Sequence, residues 1–276
     1  MAYICFRGEY IQEGKPVLTI ANRSYKYGDG LFETMKLIDG QIPLADLHFE
    51  RLFLSLKMLE IKVPAELSSD ELLRHINQLC QLNSCHSGAR IRLSVYRNDA
   101  NEGEYAIEAT PLDLAVNSWN EEGLIVDLYP YARKSSDAFA NLKTANFLPY
   151  VLAARYAEQK KVDDCIVLNA MNKIADTTKA NLFLLRNVQL FTPALHQGCI
   201  NGVMRRFLIE NLKAEEYEIH QAELSEEDLL SADEVFLTNA VFNIRWVKQY
   251  KNKTFGSKIS REIYDEVQRI LDALKS

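Results

Sequence analysis

The sequence predicts a two-domain protein of mixed α/β (α+β) class, with a smaller N-terminal sheet-and-helix domain and a larger C-terminal domain. Three observations carry this. A chain of 276 residues exceeds the common size of one compact core. The stretch Asn117-Ser118-Trp119-Asn120-Glu121-Glu122-Gly123 is polar and aperiodic, so it reads as a linker between domains over 1–116 and 124–276. The element pattern also changes there. Strands with two helices precede it, and strands alternating with helices follow.

Within the first domain, 2–7 and 17–20 read as short strands. Residues 31–38 form a longer one, Asp39-Gly40 is a hairpin signal, and 41–44 is the return strand. From 45 to 60 the apolar spacing turns helical, with Phe49, Leu52, Phe53, Leu56 and Leu59 on one face. A second helix is expected over 69–82, capped by Ser69. Residues 89–97 and 105–110 alternate as paired strands. In the second domain, helices are expected over 145–160, 203–212 and 260–274, and strands over 165–169, 181–185 and 234–238.

Composition excludes several classes. Hydrophobic residues are 47% and charged residues 25%, as in an ordinary globular protein. A formal charge of -6 disfavours a nucleic-acid partner, and no basic block appears. No apolar run has membrane-spanning length, and the first seven residues read as a strand, not a signal peptide. Five cysteines, Cys5, Cys80, Cys85, Cys165 and Cys199, are odd in number and scattered, which suits a reducing cytoplasm. Cys80, Cys85 and His86 lack a second cluster to complete four ligands, so no metal is expected.

Chemistry concentrates in three segments. Asn141-Leu142-Lys143-Thr144-Ala145-Asn146-Phe147 offers an amine able to form a covalent bond to a carbonyl cofactor. Asp176, in Lys173-Ile174-Ala175-Asp176-Thr177-Thr178, offers a carboxylate for a pyridine nitrogen. Asn201-Gly202-Val203-Met204-Arg205 opens a helix whose amides and dipole face an anion. Taken singly, each has a plainer reading: a solvated lysine, an aspartate capping its own turn, an ordinary helix start. Arg51, on one helical face with His48, has the plainer reading of a surface arginine, which Arg-Leu inside an otherwise apolar face disfavours. Gly28-Asp29-Gly30 lacks a third glycine, since Glu33 stands there, and it leads into a strand, so it is no dinucleotide loop. Neither a Walker A sequence nor a Gly-x-Ser-x-Gly elbow occurs.

In series these segments resemble the fold-type IV pyridoxal-phosphate enzymes, the class IV aminotransferase superfamily. The resemblance runs from about residue 20 to residue 247. It implies a pseudo-barrel C-terminal domain, pyridoxal 5'-phosphate as cofactor, and an active site between domains in a homodimer. Lys143 is then the catalytic lysine. Arg51, Lys143, Asp176, Asn181, Val203, Met204, Asn239 and Ala240 hold the cofactor. Tyr25, Tyr27, Phe32, Arg92, Arg97 and Val241 face the substrate. Asp176 stands where the family has glutamate, and many branched-chain enzymes have, near the position of Phe147, a tyrosine whose bond to the cofactor's ring oxygen Phe147 cannot make.

Ala180-Asn181-Leu182-Phe183, Asn201 to Arg205, and Asn239-Ala240 look most like 4-amino-4-deoxychorismate lyase. The Arg-x-His carboxylate trap of D-amino-acid aminotransferases is absent after Arg97, where Asn98-Asp99-Ala100 stands, and so is the lyase's own Arg-Gly stretch. Arg92 and Arg97 lie at odd spacing on one strand, hence on opposite faces, so one of them is expected to line the pocket. The resemblance thus implies release of pyruvate and 4-aminobenzoate, as in folate biosynthesis. The alternatives are an aminotransferase for branched-chain or D-amino acids with a 2-oxo acid acceptor, and a non-catalytic carrier of the cofactor.

Overall fold

The computed structural model describes residues 2–212 and 217–274. The chain divides into two compact units, 1–116 with Leu142–Asn146, and 117–141 with 147–276. The short return of Leu142–Asn146 to the first unit is a feature the polar break at 117–123 did not foretell.

The first unit is an antiparallel sheet carrying two helices. Its strands are β1 (Tyr3–Phe6), β2 (Glu9–Gln12), β3 (Gly30–Ile38), β4 (Gly88–Arg97) and β5 (Gly103–Pro111), in the order β2-β1-β5-β4-β3. Its helices are a short α1 (Arg23–Tyr27), then α2 (Ala45–Met58) and α3 (Ser69–Leu82). Alternation puts Leu31, Met35 and Leu37 of β3 and Ile91, Leu93 and Val95 of β4 in one core with Leu52, Leu56, Leu72, Ile76 and Leu79. Three expectations need correction. Residues 17–20 form no strand; Leu18 and Ile20 are exposed, and β2 pairs β1 instead, across the left-handed turn at Arg7-Gly8. Residues 41–44 form only an isolated bridge between Gln41 and Ile38, since Pro43 cannot donate to a ladder. Ser68, not Ser69, caps α3, accepting the Glu71 amide at 3.3 Å.

Among the described residues, the second unit is a nine-stranded mixed sheet. Its strands are β6 (Leu124–Leu128), β7 (Asp164–Leu168), β8 (Ile174–Thr177), β9 (Asn181–Arg186), β10 (Gln189–Pro193), β11 (Ile219–Ala222), β12 (Glu234–Asn239), β13 (Asn243–Tyr250) and β14 (Lys253–Thr254). They run β11-β10-β9-β12-β13-β6-β7-β8, with β14 on β13, and the sheet curls so that β8 returns beside β9 and β10. Helices α4 (Leu148–Lys160), α5 (Val203–Asn211), α6 (Glu226–Leu230) and α7 (Lys258–Ala273) complete it. Buried Glu234 of β12 accepts the amides of Ile259 and Ser260, fixing the start of α7. The helix expected from 145 starts at Leu148. Pro149 thereby falls in its first turn, where a missing N–H is harmless. Among the described residues, no helix is long and apolar enough to cross a membrane.

Candidate active site

In the first unit Lys143 lies on an extended strap beside β3. Phe32 donates its amide to the Lys143 carbonyl at 2.9 Å, Ala145 donates to Gly30 at 2.8 Å, and Leu31 bridges Thr144. The backbone of Lys143 is therefore as fixed as a strand. Its Nζ lies 4.3 Å from the Phe32 ring centroid, and the Arg92 guanidinium lies 3.9 Å from the same centroid. Two cationic side chains thus sit over one aromatic ring. Phe32 and Arg92 share the sheet face away from the α2 side.

Arg97 lies on the opposite face, as its odd spacing requires. Asp29, the carbonyls of Leu59 and Glu60, and Asn101 hold its guanidinium. The structure thus commits Arg97 to holding loops together. Tyr25 and Tyr27 lie on α1, 70% and 67% exposed.

Arg51 is not a surface arginine. Its Nε donates to Glu33 Oε1 at 2.8 Å and its Nη2 to Oε2 at 2.5 Å. His48 Nδ1 lies 2.8 Å from the same Oε2. Because the carboxylate only accepts, Nδ1 carries the proton in this pair. His48 Nε2 is buried without a hydrogen-bond partner among the described residues. Burial alone would push the Glu33 carboxyl up; the Arg51 charge and the His48 hydrogen bond outweigh it and bring it down to about 2. Burial holds His48 below its usual value, against the opposing pull of Glu33. The sequence carried a signal for Glu33: it occupies a core-facing position between Leu31 and Met35, where a lone charge needs a partner.

In the second unit Asp176 lies on β8 and is 2% exposed. Its partners come from three other segments. The Tyr150 hydroxyl donates to Oδ1 at 3.0 Å and Oδ2 at 2.9 Å; the Ile200 amide donates to Oδ2 at 3.0 Å; Lys134 Nζ lies 3.4 Å from Oδ2. Asp176 does not cap its own turn. Buried Asp164 does that, accepting from Thr177 Oγ1 at 3.0 Å, Thr178 Oγ1 at 2.6 Å and the Thr178 amide at 3.1 Å. Burial, followed by the charge of Asp176, pushes the Tyr150 phenol well above its usual value, so it remains a donor. Phe147, which lacks a hydroxyl, stacks on Tyr150 with centroids 4.2 Å apart. Sequence reasoning missed Tyr150, Lys134 and Asp164.

The candidate anion end of this unit is the start of α5. The amides of Val203 and Met204 are the first of the helix and have no intrahelical acceptor. Among the described residues no side chain caps Gly202, and the first turn holds no acidic residue. Asn181 secures the approach: its Nδ2 donates to the Ile200 carbonyl at 2.8 Å. A Cβ on Gly202 would lie 1.9 Å from Asn181 Oδ1, so a side chain there would have to displace the Asn181 amide. In the turn after β12, Asn239 Oδ1 accepts the amides of Val241 at 2.9 Å and Phe242 at 3.0 Å, and its Nδ2 donates to Lys179. Asn239 therefore shapes the turn that carries Ala240.

The strap-held amine of the first unit, and the buried carboxylate and uncapped helix amides of the second, are each of the chemistry that a phosphorylated pyridine aldehyde such as pyridoxal 5'-phosphate needs. Comparison with known proteins agrees. The family Amino-transferase class IV matches residues 30–250. An aminodeoxychorismate lyase of Bacillus subtilis (strain 168) is 30% identical over 265 residues, spanning 94% of this chain and 89% of that protein. A branched-chain aminotransferase from Thermoproteus uzoniensis, solved with norvaline, has a TM-score of 0.85 at 23% identity, covering 98% of this chain and 94% of that one. A hypothetical aminotransferase from Mycobacterium tuberculosis, in its PLP-bound form, has a TM-score of 0.83 at 19% identity, covering 99% and 98%. Both structural likenesses show the shared fold. The sequence match extends from β3 to the end of β13 and so takes in Lys143, Asp176 and Gly202 alike: this chain belongs to the class IV amino-transferase family.

Proposed function

We propose that this pyridoxal-phosphate-dependent enzyme is a 4-amino-4-deoxychorismate lyase, releasing pyruvate and 4-aminobenzoate. The observation that carries the reading is the 30% identity to the Bacillus subtilis lyase over 94% of the chain. Lys143 carries the cofactor covalently through Nζ. When bound, the cofactor supplies an electron sink beside the substrate carbon that bears the amine. Freed Lys143 takes the proton from the substrate ring, and the enolpyruvyl group departs as pyruvate on gaining a proton. Asp176 holds a proton at the pyridine nitrogen. The amides of Val203, Met204 and Ala240, with Arg51, take the phosphate. Arg92 takes a substrate carboxylate, supported by its place with Lys143 over the Phe32 ring. Val241, Tyr25 and Tyr27 belong to the substrate side by resemblance. The same resemblance supports a homodimer, and the five free cysteines suit a reducing cytoplasm.

The deciding experiment supplies aminodeoxychorismate with no keto acid present. Release of both pyruvate and 4-aminobenzoate is expected. Turnover only when an amino acid and a 2-oxo acid are given together would replace the lyase with an aminotransferase for branched-chain or D-amino acids. Cofactor binding without either reaction would favour a carrier.

A further inference from the structure

Lys134 is a buried cation with no part in the assignments above. Its backbone is anchored by an amide hydrogen bond to the Leu168 carbonyl at 2.8 Å and a bridge to Asn169. Its Nζ lies 3.4 Å from Asp176 Oδ2 and 5.2 Å from the Tyr150 ring centroid. The Asp176 carboxylate therefore meets an ammonium, a phenol and the Ile200 amide. Oδ2 receives all three donors, whereas Oδ1 receives only the second branch of the Tyr150 hydrogen bond among the described residues. A carboxylate has about four acceptor positions, so Oδ1 retains capacity for a further N–H. Two other titratable groups face this cluster among the described residues: the Cys199 thiol, which burial pushes up to about 11 and which adds no charge near neutral pH, and the Asp137 carboxyl, which the Ser135 hydroxyl and, more weakly, the Lys134 charge hold below its usual value.

We propose that Lys134 and Tyr150 are positioning residues that hold the Asp176 carboxylate from its Oδ2 side and limit how strongly it retains a proton on the cofactor's ring nitrogen. The proposal rests on Asp176 being the ring-nitrogen partner. Two physical effects support it. The Lys134 charge opposes a second positive charge on the far side of the carboxylate. Donors already on the carboxylate make it a weaker acceptor for the next one. An aspartate held in this way is fixed in place, which matters because it has one methylene less than glutamate with which to reach.

The test uses holoenzyme loaded with pyridoxal phosphate carrying ¹⁵N in the ring, and follows the ring-nitrogen chemical shift against pH. Lys134→Gln should raise the pH at which the ring proton is lost by roughly one unit, the effect of one charge at several ångströms in a partly screened interior. Lys134→Arg keeps the charge and should keep the parent midpoint. Tyr150→Phe removes a donor without a charge and should raise the midpoint by less. Asp176→Asn is read alongside and should lower it. A parent-like midpoint in Lys134→Gln, with Asp176→Asn displaced, overturns the role of Lys134 while leaving Asp176 in place. An undisplaced midpoint in Asp176→Asn removes Asp176 as the ring partner, and this proposal with it. If Lys134→Gln does not fold, Tyr150→Phe decides: no upward shift there overturns the proposal.

Discussion

Glu33 grips Arg51 with both carboxylate oxygens, at 2.8 and 2.5 Å, from a position 2% exposed. The pair joins β3 to α2 and leaves the guanidinium pre-oriented, since both groups are rigid forks. His48, one helical turn before Arg51, shares the same carboxylate. An anion reaching Arg51 thus meets an arginine whose geometry is already set.

Acid should unfold the first unit in two stages. His48 is held below its ordinary value of 6.5. Its contribution is therefore present above about 6.5 and is lost as pH falls through its folded value. Glu33, lowered from 4.5 to about 2, contributes fully above 4.5 and loses that contribution between there and about pH 2. Thermal unfolding followed against pH should show the lower stage vanish in Glu33→Gln. That variant should also be less stable at neutral pH by about 3 kcal/mol, because it breaks a buried pair. An unchanged pH profile would mean that Glu33 is not ionised in the core.

Arg51→Ala is expected to weaken cofactor binding by about 2–5 kcal/mol. The single variant also leaves Glu33 with His48 alone, so the double variant with Glu33→Gln is needed to remove the uncompensated charge. Absorbance titration of apoenzyme with pyridoxal phosphate measures both. Parent-like affinity in the double variant would confine Arg51 to its bond with Glu33.

Borohydride reduction of the holoenzyme, followed by peptide mapping, should place the pyridoxyl adduct on Lys143. Buried Lys134 is the most pointed competitor, since it lies within the cluster around Asp176. An adduct there, or on any other lysine, would sink the assignment.

Gly202→Ala should weaken phosphate binding although its backbone is ordinary, with φ at -66°. The new Cβ would collide with Asn181 Oδ1, and Asn181 would have to release the Ile200 carbonyl. Overpacking of this kind costs roughly 1–3 kcal/mol. Pairing Gly202→Ala with Asn181→Ser should recover part of the affinity for pyridoxal phosphate. If the single variant binds as the parent does, Asn181 is not what constrains the entry to α5.

The legible parts of the sequence were those governed by local periodicity. Strand β3, the hairpin turn at Asp39-Gly40 and helices α2, α3, α5 and α7 follow from spacing and turn chemistry alone. The approach to α4 misled because Ala145 is a strong helix former, while the partners of Thr144 and Ala145 in β3 lie more than a hundred positions away. Of the site, Lys143, Asp176 and the Gly202 turn stood out through their registers. The groups around Asp176 did not. Lys134 and Tyr150 are 42 and 26 positions from it, and neither sits in a pattern that marks it off from an ordinary surface lysine or core tyrosine. Arg97 shows the reverse: its spacing gave its face correctly, but only the fold reveals that Asp29, Asn101 and two carbonyls already occupy it.

The return of Leu142–Asn146 to the first unit makes the gene harder to divide than the polar stretch at 117–123 suggests. The chain crosses between units after residues 116, 141 and 146. A fragment ending at Val116 would keep β3 but lose Lys143 and the strap that pairs with its edge. A fragment starting at Leu124 would keep Lys143 but none of the backbone partners that hold it extended. Neither unit is therefore a portable module, and no single cut or fusion point separates them. Shuffling with relatives has to exchange the strap together with β3, so that Gly30, Phe32, Lys143 and Ala145 come from one parent.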